Sequence, residues 1–136
     1  MGSMIIGLAS GSLEKLLVAS TVAAGGVALD MDVDIYLLLG GAYAFRKDIA
    51  DEGTYTDRPE LEEEMRAGMT QASVPDPLAN LRSLRDDGNV QIHVCATAGK
   101  VWGAGQLGDF VDIIDDIVGI AEYITKCEEA EVVQVL

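Results

Sequence analysis

Basic residues are scarce in this chain. Nine Lys and Arg stand against 23 Asp and Glu, for a formal net charge of −14 over 136 residues. Neutralising phosphates takes clustered cations, so nucleic acid is excluded as a partner, and an anionic membrane surface with it. Histidine occurs once, which excludes a histidine-rich metal site, and two cysteines are too few for a disulfide framework. Long apolar runs are missing too. The longest uncharged stretch, Leu16 to Leu29, has 14 residues, against about 20 for a helix that spans a bilayer. It carries Ser20, Thr21, Gly25 and Gly26 and reads as a buried helix instead. No secretory signal is visible, which points to the cytoplasm.

What remains is a foldable composition, 49% hydrophobic and 24% charged. A chain of this length can bury about two-thirds of its unfolded surface, enough for a core without metal or disulfide. One domain is expected over 4–136, with Met1-Gly2-Ser3 as a remnant ahead of the native Met4.

Short apolar runs alternate with helical patterns along the whole chain. Met4–Ala9 reads as a buried strand closed by Ser10-Gly11-Ser12, with Ser12 capping a helix from Leu13 to Leu29. That helix is apolar on nearly every side from Leu16 onward, so a second subunit is expected to cover what the sheet does not. Val33–Leu39 is nearly continuously apolar, as a doubly covered parallel strand should be. Gly40-Gly41 ends it, before a short helix over Ala42–Ala50. Asp51–Pro75 reads as an irregular connection with a short helix at Glu60–Ala67. Asp76-Pro77 opens the next helix and Gly88 closes it. Val90–Cys95 is a third strand, followed by a small-residue loop at Ala96–Gly99 and a helical turn within Lys100–Leu107. Phe110–Val118 holds a fourth strand, Gly119–Glu129 a helix, and Val132–Leu136 a closing strand. The alternation predicts an α/β fold, a three-layer α/β/α sandwich on a mostly parallel sheet of about five strands. Ligands collect at the carboxyl ends of such strands. That places substrate-binding roles on Ser10, Gly11, Ser12, Gly40, Gly41, Thr97 and Gly99.

Cys95 is the residue most able to carry chemistry. It ends a strand and precedes small residues whose amides can point at its sulfur, a field that favours the thiolate. His93 lies on the same face of the strand, roughly 7 Å away along the backbone, and reads either as an activator of Cys95 or as a hydrogen-bonded histidine of the sheet or of a subunit contact; Lys100, in the following segment, is a candidate cation near the thiol. Cys127 is a possible resolving thiol or a packing residue. Two cysteines separated by two residues, as thioredoxin chemistry needs, do not occur. A cysteine phosphatase needs an arginine where Val101 stands, and a rhodanese loop needs arginines where only Lys100 is found. Val-Gln-Ile-His-Val precedes Cys95 in place of the proline and threonine of a peroxiredoxin.

In the order and spacing of Met4–Ser12, Val33–Gly41, Val90–Gly99 with its single cysteine, Val118–Tyr123 and Glu129–Val132, the chain resembles the DsrE/DsrF-like family of small sulfur-handling proteins, often labelled peroxiredoxin-like. The resemblance implies a homo-trimer or hexamer. It also implies that Cys95 carries sulfur as a persulfide or thiosulfonate, exchanged with small sulfur-carrier or rhodanese-like proteins. Neither a metal nor an organic cofactor is called for. A thiol redox enzyme and a non-catalytic subunit of a sulfur relay are the alternatives.

Overall fold

The computed structural model describes residues 2–136. Five strands form one wholly parallel sheet: β1 (Ser3–Leu8), β2 (Asp32–Leu37), β3 (Val90–Cys95), β4 (Asp116–Val118) and β5 (Val132–Val135), in the spatial order β4-β3-β2-β1-β5. The chain is therefore α/β, as its alternating pattern predicts. The helices are α1 (Leu13–Ala28), α2 (Leu39–Ala44), α3 (Lys47–Glu52), α4 (Glu62–Gln71), α5 (Pro77–Asp87), α6 (Ala96–Val101) and α7 (Ile120–Glu129).

The strand order dictates the layers. From β1 to β4 the chain steps always in one direction, and right-handed crossovers place α1 and α5 on one face. The connection from β4 to β5 runs back across the sheet and lays α7 on the other. Side-chain alternation sorts the two faces. Ile6, Ile35 and Ile92 stand side by side in register and pack with Leu16 and Ala19 of α1 and Leu81 of α5. Ile5 and Tyr36 face the other way, against Tyr123 of α7.

Helix α1 starts where Ser12 caps it: the Ser12 hydroxyl accepts a hydrogen bond from the Lys15 amide at 3.3 Å. Leu13, Leu16, Ala19 and Ala23 bury its inner side. Helix α5 lies alongside, and Val18 stays exposed. The strand expected from Met4 begins one residue earlier, at Ser3.

Several other boundaries differ from expectation for a physical reason. Gly40 and Gly41 lie inside α2 and do not merely end β2, because the helix packs directly on the β1–α1 connection. A Cβ on Gly41 would stand 2.1 Å from the Leu8 carbonyl oxygen, and one on Gly40 2.7 Å from that of Ala9. The helix expected over Ala42–Ala50 is two helices, interrupted where Phe45 is fully buried and Arg46 bridges to Phe110. Helix α4 passes through Gly68 and ends before Ser73, which takes the left-handed conformation (φ 58°). In the fourth-strand segment only Asp116–Val118 pairs with the sheet, while Phe110, Ile113 and Ile114 turn into the core.

One substitution type should act with opposite signs at two glycines. Gly41→Ala forces backbone apart and should lower the unfolding free energy by about 1–3 kcal/mol. Gly25→Ala, on the open side of α1 with nothing within 4 Å of the new methyl, should raise it by about 0.5–1 kcal/mol. Urea midpoints at unchanged slope would read both, and a tolerated Gly41→Ala would contradict the close approach.

Candidate functional site

Because the strands are parallel, all their carboxyl ends meet at one edge, where the connection after β1, helix α2 and helix α6 converge. The sequence-predicted residues do gather there, but most hold the edge together. The Ser12 amide donates to the Ser10 hydroxyl at 3.2 Å, and the Ser10 hydroxyl lies 3.3 Å from that of Ser12. Ser12 is fully buried, so its role is to cap α1 and not to bind substrate. Gly11 admits Ala44, whose Cβ would stand 2.4 Å from an added methyl, and Gly99 admits the Ala104 carbonyl, 2.8 Å from one. Gly41 is closed off by Leu8 in the same way. Thr97 is exposed on α6. Of the predicted substrate-binding set, Gly40 is the one that lines the cavity described below.

Cys95 occupies the N-cap of α6, a free thiol on a residue 8% exposed. The helix starts at once, at Ala96, so the small-residue loop expected there is its first turn. The cap side chain makes no hydrogen bond to the helix amides. Instead it packs into the main core with Val94 and Ala98. The amide cradle expected around the sulfur is therefore not formed by direct hydrogen bonds. Neither expected activator is placed for the task. Both ring nitrogens of His93 are held by carboxylates. Lys100 is exposed, and its five-residue offset from the cap turns it about 140° around a helix. Cys127 is half-buried beside Tyr123 near the end of α7. That helix runs from the carboxyl edge toward the amino edge, so the two thiols lie toward opposite ends of the sheet.

Beside this edge three rings that sequence reasoning did not single out meet around a cavity of about 450 Å³, lined by Gly40, Tyr43, Tyr55 and Trp102. Tyr43 lies 4.9 Å from Trp102 and 6.2 Å from Tyr55, centroid to centroid. The Trp102 indole N–H donates to the Leu39 carbonyl at 2.7 Å, and the Tyr55 hydroxyl accepts from the Gly11 amide at 3.1 Å. Tyr55 is how the Asp51–Pro75 segment reaches the site. Its carbonyl accepts from the Leu13 amide at 2.7 Å. The next residues are fastened to the first turn of α1, where Glu14 accepts from the amides of Asp57 and Arg58, each at 3.1 Å. Partial burial raises the Glu14 pKa, but these and neighbouring hydrogen bonds outweigh it and hold the carboxyl below its ordinary value.

The face under α7 carries a second group of side chains. His93 on β3 bridges Asp34 on β2 through Nε2 (2.7 Å) and Asp116 on β4 through Nδ1 (2.5 Å). Its ring stacks on Tyr36 at 4.6 Å and 23°, and the Tyr36 hydroxyl donates to Glu122 of α7 at 3.1 Å. Burial alone would lower the His93 pKa. Asp34 and Asp116 more than offset that and raise it to about 9, so the ring is an imidazolium at neutral pH. Burial, then Glu122, pushes the Tyr36 phenol up. This is a clamp across three strands, with no free base to serve a thiol. The signal for it was the pair Asp34 and Tyr36, polar groups on one face of an otherwise apolar parallel strand.

No family model and no curated protein matches the chain. Solved structures do. The ychN protein from E. coli is similar over 100% of both chains, at 16% identity and a TM-score of 0.63. MTH1491 from Methanobacterium thermoautotrophicum, a protein of unknown function, is similar over 98% of this chain and 99% of its own, at 10% identity and a TM-score of 0.60. At such identities the likeness establishes the fold. Among the described residues no helix is long and apolar enough to cross a membrane.

The clamp has a pH signature. The folded pKa of His93 lies above the unfolded value of about 6.5. Its contribution is therefore complete below that value and is lost as pH rises through about 9. Chemical denaturation across neutral to alkaline pH should show a loss on the order of 2 kcal/mol, discounted because Asp116 is half exposed. That loss should be absent from His93→Gln. Parallel profiles for the two proteins would remove the clamp.

Proposed function

We propose that the protein is a sulfur carrier or sulfurtransferase that holds sulfane sulfur on Cys95 and passes it to an acceptor thiol. The observation that carries this reading is the place of Cys95, a free thiol at the carboxyl end of β3 where the chain turns directly into a helix. The first amides of α6 have no partner within their own helix, and an anion at the cap would meet them and the positive end of the helix. The order of short segments that resembles the DsrE/DsrF-like family supports the same reading.

The chemistry is thiol exchange. The Cys95 thiolate attacks the outer sulfur of a donor persulfide. The donor S–S bond breaks and its thiolate leaves, and a new S–S bond forms on Cys95. An acceptor thiolate then attacks that outer sulfur and frees Cys95. The oxidation level of the moving sulfur is unchanged, so no external oxidant is needed. With thiosulfate as donor the leaving group is sulfite. Partners in this reading are small sulfur-carrier or rhodanese-like proteins, and the working form is a homo-trimer or hexamer.

A second reading has its own observation. Cys95 is 8% exposed and packs within the core, as a cysteine does in a non-catalytic subunit. Redox pairing with Cys127 has no comparable support, since the two lie toward opposite ends of the sheet.

Intact-mass measurement separates these. Reduced, folded protein incubated with polysulfide or thiosulfate should gain the mass of one or more sulfur atoms. The gain should persist in Cys127→Ser and vanish in Cys95→Ser. Unmodified wild-type protein, together with slow alkylation of Cys95 by iodoacetamide, would leave the packing role.

A further inference from the structure

Three of the chain's seven aromatic residues (four Tyr, two Phe, one Trp) converge on one cavity. Core filling accounts for one of them in part, since Trp102 packs against the main core, but not for the convergence of all three. Phe45 and Phe110 are the rings sunk in the main core, whereas Tyr43 and Trp102 are half-buried and Tyr55 is 39% exposed. Partly exposed rings around a hollow of about 450 Å³ fall in the size range of small-molecule sites, roughly 300–1,000 Å³.

The geometry narrows the chemistry. The Tyr43 plane is inclined 55° to Trp102 and 66° to Tyr55. Neither neighbour lies parallel to Tyr43, so no flat slot opens against that ring. Rings tilted against Tyr43 on either hand form a corner, which suits a compact, rounded group. The lining includes no Lys, Arg, Asp or Glu, so an anion would find no counter-charge there. Ring faces carry negative quadrupole density and attract cations, above all weakly hydrated ones. The net charge of −14 draws cations toward the molecule as a whole. Tyr43 already takes one cation: the Arg46 guanidinium lies 5.5 Å from its ring centre, lining a neighbouring hollow and not this one. Two walls are fixed in advance, Trp102 by its bond to the Leu39 carbonyl and Tyr55 by the Gly11 amide. A preorganised cage loses little conformational freedom on binding.

We infer that the corner formed by Tyr43, Tyr55 and Trp102 is an aromatic cage for a methylated ammonium group. The site is separate from Cys95, and its standing does not depend on sulfur transfer. The same head group occurs in free choline-like molecules and in trimethylated lysine, and the volume leaves room for the substituent of either.

The single tryptophan of the chain is itself a wall of the cage and reports on it. Emission of the full chain is titrated with choline chloride, with a peptide containing trimethyllysine, and with neohexanol, the uncharged carbon isostere of choline. Sodium chloride holds ionic strength constant. A saturable change is expected with at least one of the two cations, with neohexanol about tenfold weaker. A response to choline alone assigns a free small molecule. A response to the peptide as strong or stronger assigns a modified protein tail. No saturable response to either cation would overturn the inference, and so would equal affinity for neohexanol. Tyr55→Leu, folded by circular dichroism, should weaken binding about tenfold, and unchanged binding would also overturn it. Should that variant fail to fold, the comparison with neohexanol on the wild-type chain decides alone.

Discussion

The arrangement at the carboxyl edge depends on one close approach, that of Gly41 to the Leu8 carbonyl. No side chain fits between them. Their contact seats α2 directly on the end of β1, at a distance only glycine permits. Gly11 and Gly40 extend the same contact on either side. Once α2 is seated, the Leu39 carbonyl is positioned to receive the Trp102 indole, and the Tyr43 ring stands against Trp102. These glycines act at one remove from any ligand: they place the backbone that places the rings.

The two faces of the sheet are held by different physics. Under α1 and α5 the contact is continuous hydrocarbon, with Ile6, Ile35 and Ile92 abreast. The other face has α7 alone, and there the sheet is secured by charge. A buried imidazolium joins Asp34, on β2, to Asp116, on a strand of only three residues. So short an edge strand has few ladder hydrogen bonds of its own, and the bridge to β3 supplies what they do not. Removing one partner of such a group is costly because the others stay charged and desolvated.

Much of this was legible in the sequence. Nearly continuous apolar runs such as Val33–Leu39 marked parallel strands, and Ser12 and Asp76 marked helix starts, because these signals act over a few neighbouring residues. Boundaries set by distant contacts were not legible. Gly40-Gly41 looks like a turn until Leu8 is seen packed on it. Lys100 looked like a helper of Cys95 but faces solvent, and of the two readings of His93 the hydrogen-bonded histidine of the sheet is the one found, engaged by Asp34 and Asp116. The cage was invisible because Tyr43, Tyr55 and Trp102 come from three segments with no shared pattern. Tyr55 in particular belongs to a stretch that reads as polar connection, and only its bonds to Gly11 and Leu13 show where it lies.

Charge and position together set the carboxyl edge apart from the rest of the molecule. Acidic residues crowd the first turn of α4, at Glu62, Glu63 and Glu64, and recur along α7. The cavity lining has none. On a chain this acidic an uncharged, ring-lined hollow is the exception, and it adjoins the helix that carries the thiol. Helix α6 has Cys95 as its N-cap and Trp102 as its C-cap. Six residues make a rigid rod of about 9 Å, too short to bend between its ends. The thiol and the ring-lined hollow therefore stand at the two ends of one short helix, distinct in chemistry and neighbours in the fold.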